Sequence, residues 1–280
     1  MYVTMAEIGL RAMEGGYGVT APNVYDEYSV TAAISAAEEL NAPMILDLGP
    51  GMAVNGFHHF MKMVIEKARD AKVPVAANLD HGRTYEVCVQ ALREGCSSIM
   101  ADRSELALED NIAQCAELAK IAHICGASIE AELGHVGQGM TYAADRDAGL
   151  TNPAEAKEFI ERTGVDMLAI AMGTAHGVYK GTPHLDFDVL AAVRKAVPNT
   201  PLVLHGGSGT GDENLARATR EGIAKVNIFT DLSLAAVEAL KTRGLPENMG
   251  VMQAVATLRD GYKDKLVHYM KLFNMEGKAW

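Results

Sequence analysis

The stretch VPVAANLDHG, residues 73 to 82, joins an apolar run to a carboxylate and an imidazole that are adjacent in the chain. The apolar residues that begin it are typical of a strand covered on both faces. Asp80 and His81 follow, and two interpretations of them are open. Asp80 could cap a helix while Gly82 turns the chain, or both polar groups could lie at a strand end and take part in chemistry. The rest of the chain has to decide between these interpretations.

The same unit, a short apolar segment followed by a segment of helical periodicity, recurs along the chain. Eight such units in about 240 residues predict an α/β fold, a (β/α)8 TIM barrel, rather than an open doubly wound sheet. Residues 248–273 predict one or two extra C-terminal helices, and no linker divides the chain, so we expect a single domain over residues 1–280. The predicted strands are 18–22, 44–48, 75–79, 98–101, 128–132, 167–171, 202–205 and 225–229. The predicted helices are 31–40, 57–69, 84–94, 109–125, 153–163, 187–197, 212–221 and 232–242.

Composition and charge restrict the class of protein. Hydrophobic residues make up 49% of the chain and charged residues 22%, which is ordinary for a globular protein. The formal net charge of −11 disfavours nucleic acid or an anionic membrane as a partner. We find no signal peptide and no run of about 18 apolar residues, so we expect no membrane span. The four cysteines lack CxxC spacing, which indicates reduced thiols and a cytoplasmic protein.

Three histidines follow predicted strands, and in a TIM barrel catalysis takes place at the C-terminal ends of the strands. Taken singly, His176 in GTAHGVYKG or His205 in VLHGGSG is more typical of a structural or surface histidine. Together with His81 they would meet at one rim, where three neutral imidazoles that leave a fourth position open form a catalytic zinc site. The other polar strand-end residues are Asn23, Asp102, Glu132 and Asn227.

Two stretches follow the last two predicted strands, which is the usual position of a phosphate site in α/β barrels. HGGSG, residues 205–209, offers backbone N–H groups and a serine, and NIFTD, residues 227–231, leads into a helix. Gly177 and Lys180 in HGVYKG would add backbone and a cation. Two alternatives are that the glycines serve only the turn, and that Lys225 is a Schiff-base lysine, which a metal site would make redundant.

Six motifs occur in order along the chain: NLDHG, SIMADRSELALEDN, IEAELG, LAIAMGTAHGVYKG, PLVLHGGSG and KVNIFTDL. Together they resemble the class II, metal-dependent fructose-bisphosphate and tagatose-bisphosphate aldolases over nearly the whole chain. The resemblance implies one catalytic zinc ion per chain, bound by His81, His176 and His205. It adds Asp102 and Glu132 as secondary metal ligands and is compatible with a second or a monovalent ion. The residues it implies for the phosphate of the substrate are Gly177, Gly206, Gly207, Ser208, Asn227, Ile228, Phe229 and Thr230. Lys180 and the strand-end residue Asn23 complete the predicted substrate-binding residues.

The resemblance implies reversible cleavage of a ketose 1-phosphate or ketose 1,6-bisphosphate to dihydroxyacetone phosphate and an aldehyde. Zinc would act as a Lewis acid on the three-carbon fragment. Asp80 would be the proton donor in condensation and would deprotonate the C4 hydroxyl in cleavage. Asn227 would donate a hydrogen bond to the enediolate. The resemblance also implies a homodimer or homotetramer.

Two positions near the predicted proton transfers depart from the family pattern. Asn78 stands where the family usually has the first histidine of His-Leu-Asp-His. Met140 stands near the position of a loop glutamate that moves the C3 proton in the family. The nearby residues that could replace this glutamate are Tyr142, Asp145 and Asp147.

Two further departures concern the far end of the substrate. Gly49 replaces a serine or threonine that often helps to bind the aldehyde half, and residues 249–253 contain no arginine for a second phosphate. The metal and dihydroxyacetone phosphate half of the site is therefore retained, whereas the aldehyde half is altered. The arginines that could restore a positive group from a rim loop are Arg83, Arg103 and Arg146.

Two other functions remain open. A metal-dependent hydrolase on the same barrel generally has an H-x-H pair after the first strand, and APNVYDEY has none. A non-catalytic barrel that binds phosphorylated sugars would keep the zinc but lose the proton shuttle, and Met140 is the feature that favours it. The sequence does not identify the aldehyde, the physiological metal or the size of the oligomer.

Overall fold

The computed structural model describes residues 1–51, 56–139, 149–180, 183–244 and 249–280 of the chain. Within these ranges eight parallel strands form a nearly closed barrel, and two short strands pair with each other outside it. The barrel strands are β1 (Val19–Pro22), β2 (Met44–Leu48), β3 (Val75–Gly82), β4 (Ser98–Ala101), β5 (Ser128–Leu133), β7 (Met167–Ile170), β9 (Leu202–Leu204) and β10 (Ile223–Ile228). The short strands are β6 (Gly137–Gln138) and β8 (Ala175–His176). The predicted (β/α)8 architecture is confirmed.

The barrel closes at β1, which has a neighbour on each side. β1 pairs in parallel with β10 along its whole length. On its other side Asn23 forms an isolated bridge with Asp47, and the Val24 N–H donates to the Asp47 carbonyl at 3.0 Å. All residues of β1 and β2 are buried. Strands that are buried on both faces carry apolar side chains on both, which explains the continuous apolar runs in the sequence.

Helices connect the strands and cover the outside of the barrel. The last helix, α10, forms most of the C-terminal segment, and it packs against both α9 and α2. Within the described ranges, none of the helices combines the length and apolar character needed to cross a membrane. The helices are α1 (Met5–Gly15), α2 (Glu27–Glu39), α3 (Phe57–Asp70), α4 (Tyr85–Glu94), α5 (Leu108–Ile124), α6 (Pro153–Thr163), α7 (Phe187–Ala196), α8 (Asp212–Arg220), α9 (Thr230–Arg243) and α10 (Val251–Leu272).

Helix α1, which the strand–helix pattern does not predict, lies at the end of the barrel where the strands begin. Its Met5 N–H donates to Ser98 Oγ at 2.8 Å, and its Ala6 N–H donates to Ser128 Oγ at 3.2 Å. Both serines are the first residues of their strands. A capping box at Thr4 starts the helix. Helix α1 therefore covers the barrel end opposite to the predicted site.

Candidate active site

The end of β3 is irregular, and this irregularity brings two adjacent side chains to the same place. The register of β3 against β4 shifts between Leu79 and Gly82, and His81 has a φ of +51°, in the left-handed region. Adjacent residues of a regular strand point to opposite faces. Because the bulge cancels this alternation, Asp80 and His81 line the same cavity. The strand therefore runs three residues beyond the predicted end at Leu79.

The surroundings of Gly82 explain why this bulge needs a glycine. A Cβ at Gly82 would lie 2.6 Å from Cys88 Sγ and 2.7 Å from the Met100 carbonyl oxygen. The Gly82 carbonyl accepts a hydrogen bond from Arg103 Nη1 at 2.8 Å. The interpretation of Asp80 as a helix cap is wrong, because α4 is capped by Thr84.

Three imidazoles, from β3, from β8 and from the end of β9, meet above the barrel. The ring centroid of His81 lies 4.9 Å from that of His176 and 4.8 Å from that of His205. One nitrogen of each of two rings is held by a carboxylate: His81 Nδ1 lies 2.8 Å from Asp102 Oδ2, and His205 Nε2 lies 2.7 Å from Glu130 Oε1. Their other nitrogens, His81 Nε2 and His205 Nδ1, lie 3.2 Å apart, and Asn227 Nδ2 lies 3.3 Å from His205 Nδ1. A carboxylate behind each imidazole is the arrangement that fixes a metal-binding histidine.

A second group of potential ligands overlaps the first at His81. It combines His81 with Asp102 and Glu132, and the ligand atoms of the group lie within 4.8 Å of one another. Glu132 is buried, and among the described residues its Oε2 has no hydrogen-bond partner, while burial raises the pKa of its carboxyl group. An unpaired buried carboxylate oxygen is costly unless a cation or proton meets it. The two groups together therefore fit a divalent metal with carboxylates close to it.

A fully buried layer of charge lies directly beneath the histidines. Lys225 Nζ lies 2.8 Å from Glu130 Oε2 and 3.5 Å from Asp47 Oδ2, and Asn78 Nδ2 donates to Asp47 Oδ1 at 2.9 Å. Burial alone would lower the pKa of Lys225, but Asp47 and Glu130 raise it above its usual value. Both carboxylates hold the amine in the core, and Lys225 does not line the cavity above, which disfavours the Schiff-base alternative.

Glu130 and Asp47 are residues that the sequence analysis missed. A signal for both was present, because each is a carboxylate inside an otherwise apolar strand, in IEAEL and MILDL. Charged residues are almost never fully buried unless they are paired, so such positions predict a buried partner. Which partner each carboxylate meets depends on the barrel, since their shared partner Lys225 comes from β10.

Two side-chain amides, one directly after β1 and one near the end of β10, donate hydrogen bonds to Asp80. Asn23 Nδ2 donates to Asp80 Oδ2 at 2.6 Å, and Asn227 Nδ2 donates to Asp80 Oδ1 at 3.1 Å. Burial alone would raise the pKa of Asp80, but His81, His205 and the hydrogen bond from Asn23 lower it to about 2. Asp80 is therefore an ionised carboxylate in a fixed orientation, able to accept a proton.

The environments of two of the histidines push their pKa values in opposite directions. Burial alone would lower the pKa of His81, but Asp80 and the hydrogen bond to Asp102 raise it to about 9. Burial lowers the pKa of His176, and the neighbouring His205 and His81 contribute to its fall to about 3. A metal ion binds the neutral imidazole, so His176 is in the binding form at neutral pH, whereas His81 would release its proton when a metal binds.

These groups share a cavity of about 280 Å³ with the backbone of the predicted phosphate site. Ser208 Oγ accepts hydrogen bonds from the N–H groups of Phe229 and Asp231, each at 3.2 Å, and so ties the loop after β9 to the start of α9. Gly206 has a φ of +66°, and a Cβ there would lie 2.3 Å from the Ala175 carbonyl oxygen, so a larger residue would displace β8. The cavity is lined by Asn23, Asp80, His81, His176, Gly177, Gly206, Ser208, Asn227, Phe229 and Thr230.

Three residues of the predicted phosphate site lie outside this lining. Lys180 is exposed, and its N–H donates to the Gly139 carbonyl at 3.1 Å. The Gly207 N–H is occupied by the Asn227 carbonyl at 3.2 Å, and the Ile228 side chain is buried in the core. The residues named for the loop proton shuttle and one rim arginine lie outside the described residues. These are Met140, Tyr142, Asp145, Arg146 and Asp147.

The two described rim arginines differ in their surroundings. Arg103 is buried, and its guanidinium donates to the carbonyls of Gly82 and Asp102 and to Gln114. Arg83 is exposed, and its Nε lies 3.7 Å from Asp102 Oδ2. Arg103 therefore supports the loops that carry Asp102, whereas Arg83 lies at the solvent side of the same carboxylate.

The site combines the ionised Asp80 with imidazoles and carboxylates that fit a divalent metal. The backbone of the adjoining loops suits a phosphate. Comparisons with known proteins agree with this chemistry. Residues 3–278 match the family model described as "Fructose-bisphosphate aldolase class-II". The chain is 39% identical to the "Fructose-bisphosphate aldolase" of Thermus caldophilus, with 100% of both chains covered.

Two solved structures are similar over nearly their whole length. The YdjI aldolase of Escherichia coli K12 superimposes with a TM-score of 0.89 at 36% identity and covers 100% of both chains. The fructose-bisphosphate aldolase of Campylobacter jejuni has a TM-score of 0.83 at 25% identity and covers 99% of this chain and 97% of its own. The resemblance in the sequence motifs is thereby confirmed. The chain belongs to the class II fructose-bisphosphate aldolase family, whose members are generally metal-dependent, and it is an aldolase, a carbon–carbon lyase.

Proposed function

We propose that this aldolase is zinc-dependent and reversibly cleaves a ketose 1-phosphate to dihydroxyacetone phosphate and an aldehyde. The observation that carries the proposal is the set of three convergent imidazoles, His81, His176 and His205, beside the ionised Asp80 in one cavity. These imidazoles would hold the zinc ion, with Asp102 and Glu132 close by. When bound, zinc would supply a Lewis acid that polarises a carbonyl oxygen of the substrate.

Asp80 performs the proton transfer at the aldehyde end. In cleavage it takes the proton of the C4 hydroxyl, the aldehyde carbonyl forms, and the electron pair of the C3–C4 bond passes to the three-carbon fragment. In condensation Asp80 returns the proton to the aldehyde oxygen. Asn23 and Asn227 hold its two oxygens and so aim its free lone pairs into the cavity.

The proton at C3 of the three-carbon fragment needs a second group. This group is supplied by the segment after β6, and the candidates are Tyr142, Asp145 and Asp147. Asn227 assists by donating a hydrogen bond to the fragment while it carries negative charge.

The phosphate end is bound mainly by backbone. The loop after β9 and the start of α9 line the cavity with Ser208 and Thr230, whose backbone N–H groups would bind the phosphate. Gly177 approaches from β8 without a side chain in the way. The N-terminus of α9 favours an anion through its dipole, which offsets the overall negative charge of the protein.

The experiment that tests this function is coupled detection of dihydroxyacetone phosphate across a panel of ketose phosphates. We expect one or more ketose 1-phosphates to release it from the zinc-loaded protein. Zinc binding and phosphosugar binding without release of dihydroxyacetone phosphate from any member would leave the non-catalytic binding barrel as the better account. Release of inorganic phosphate instead would favour a hydrolase.

A further inference from the structure

The predicted phosphate loop, residues 205–209, precedes α8 and is hydrogen-bonded to the first turn of α9, and the last turn of α10 contacts the first turn of each of these helices. His268 Nε2 of α10 lies 2.8 Å from Asp212 Oδ2 at the start of α8. The next residue, Tyr269, donates its hydroxyl to Asp231 Oδ2 at the start of α9. Helix α10, which lies outside the barrel, therefore contacts the first turns of both α8 and α9, the two helices next to the loop.

Asp231 connects Tyr269 to the loop itself. Its Oδ2 also accepts the Gly209 N–H at 3.0 Å, and its own N–H donates to Ser208 Oγ at 3.2 Å. Two consecutive loop residues are thus held by one aspartate, through both its side chain and its backbone. Ser208 lines the cavity together with Thr230, the immediate neighbour of Asp231.

The position of this carboxylate creates an electrostatic conflict with an anionic ligand. A free carboxylate next to a bound phosphate would repel it, because two anions at short distance destabilise each other. The hydrogen bonds from Tyr269 and Gly209 fix the Asp231 oxygen in one orientation and delocalise part of its charge.

Tyr269 is well placed to hold the carboxylate because its ring is immobilised. The side chain is buried, and the ring stacks on Phe273 with the centroids 5.9 Å apart. Burial and the hydrogen bond to Asp231 both raise the pKa of the Tyr269 hydroxyl, so it remains a hydrogen-bond donor across the physiological range.

We propose that Tyr269 is a positioning residue for substrate phosphate, acting through Asp231 on the loop of Ser208 and Gly209. The inference rests on the proposed function, since it assumes that this loop binds the phosphate of dihydroxyacetone phosphate. Tyr269 touches neither the metal-binding histidines nor Asp80, so its effect falls on phosphate binding rather than on proton transfer.

The test compares Tyr269→Phe, which keeps the ring and removes the hydroxyl, with Tyr2→Phe. Tyr2 is a matched control, because its hydroxyl also makes partly buried hydrogen bonds, to the Gly95 carbonyl and the Ser97 N–H, but at the opposite end of the barrel. Binding of dihydroxyacetone phosphate and of inorganic phosphate to the zinc-loaded proteins is measured by titration calorimetry, and KM and kcat are measured for the best ketose 1-phosphate.

We expect Tyr269→Phe to weaken dihydroxyacetone phosphate binding and raise KM by about 5- to 30-fold, which corresponds to about 1–2 kcal/mol. Its kcat at saturating substrate should change less than about twofold, and Tyr2→Phe should leave Kd and KM unchanged. Adding Asp231→Asn to Tyr269→Phe should recover part of the affinity, because it removes the repelling charge while keeping an acceptor for Gly209.

The outcomes separate the inference from the proposed function. If the wild-type protein binds no dihydroxyacetone phosphate, the proposed function fails and the inference fails with it. If the wild type binds it and Tyr269→Phe binds it equally well, the inference alone is overturned. Loss of kcat with an unchanged Kd, or no recovery in the double variant, would also overturn it.

Discussion

At the scale of single residues, the site depends on backbone geometry that places neighbouring side chains together. His81 adopts a left-handed conformation that non-glycine residues rarely take, and the bulge around it lets Asp80 share its cavity. The motif predicts that a carboxylate and an imidazole lie at a strand end, but not that both face inward. That outcome depends on the register with β4 and on the crowded surroundings of Gly82.

Replacing Asp80 with asparagine tests its role as the acid–base group. Asp80→Asn keeps the size of the side chain and a hydrogen-bonding group near Asn23 and Asn227, but it cannot accept the substrate proton. We expect unchanged metal content and turnover that falls by roughly 10²- to 10⁴-fold, the usual loss for an acid–base group. Steady-state kinetics with metal analysis of the same sample measures both. Near-normal turnover would show that Asp80 has another role.

We predict that Glu130 strengthens zinc binding through its hydrogen bond to His205. Glu130→Gln would weaken the hydrogen bond to His205 Nε2. It would also remove one of the two negative charges that neutralise the buried Lys225 ammonium. We expect zinc to bind about 10- to 100-fold more weakly, as for other partners of metal-binding histidines, measured by competition with a chromogenic chelator. Glu158→Gln is a control, because Glu158 is exposed and pairs with Arg162. Equal zinc affinity in wild type and Glu130→Gln would contradict this role.

At the scale of elements, the strands were predicted closely because parallel strands buried on both faces give uninterrupted apolar runs. Helix α1 was missed although its buried residues, Met5, Ile8, Gly9 and Ala12, follow helical spacing. It precedes the first strand, so the repeating strand–helix pattern does not include it. The buried layer of Lys225, Glu130 and Asp47 could not be assembled from the sequence, because the three residues come from strands far apart in the chain.

We expect the loops at the rim to determine which aldehyde is accepted. Gly49 after β2 offers no hydroxyl, and the start of α10 offers no arginine for a second phosphate. Loss of one charge-assisted and one hydroxyl contact would weaken recognition of a far phosphate by ~2–4 kcal/mol, or about 30- to 1000-fold in kcat/KM. We therefore expect fructose 1,6-bisphosphate to be a poorer substrate than a ketose 1-phosphate whose far end carries no phosphate or carries another anion.

Comparison of kcat/KM for fructose 1,6-bisphosphate, tagatose 1,6-bisphosphate and fructose 1-phosphate measures this preference. A clear preference for either bisphosphate would show that a rim group replaces the missing contacts. Arg83 is the described residue to test in that case, since its guanidinium lies on the solvent side of Asp102. Arg83→Gln should then reduce the preference for the bisphosphate while leaving turnover of fructose 1-phosphate unchanged.

At the scale of the whole molecule, the fold gathers residues at the ends of five strands, β1, β3, β8, β9 and β10, into one cavity. Asn23, the histidines and Asn227 are separated by up to 204 positions in the chain, yet the parallel arrangement brings the ends of their strands to one rim. We also propose that the chain forms a homodimer or homotetramer. Size-exclusion chromatography with light scattering would measure its mass against the 29.9 kDa of one chain.

The central claim is that His81, His176 and His205 hold one catalytic zinc ion on which aldol cleavage depends. The most direct measurement combines metal analysis with release of dihydroxyacetone phosphate, before and after treatment with a chelator. We predict about one equivalent of zinc per chain, loss of activity when zinc is removed, and recovery on its return; His176→Ala should lose both metal and activity. Full activity in the metal-free protein, or full metal content and activity in His176→Ala, would contradict the account.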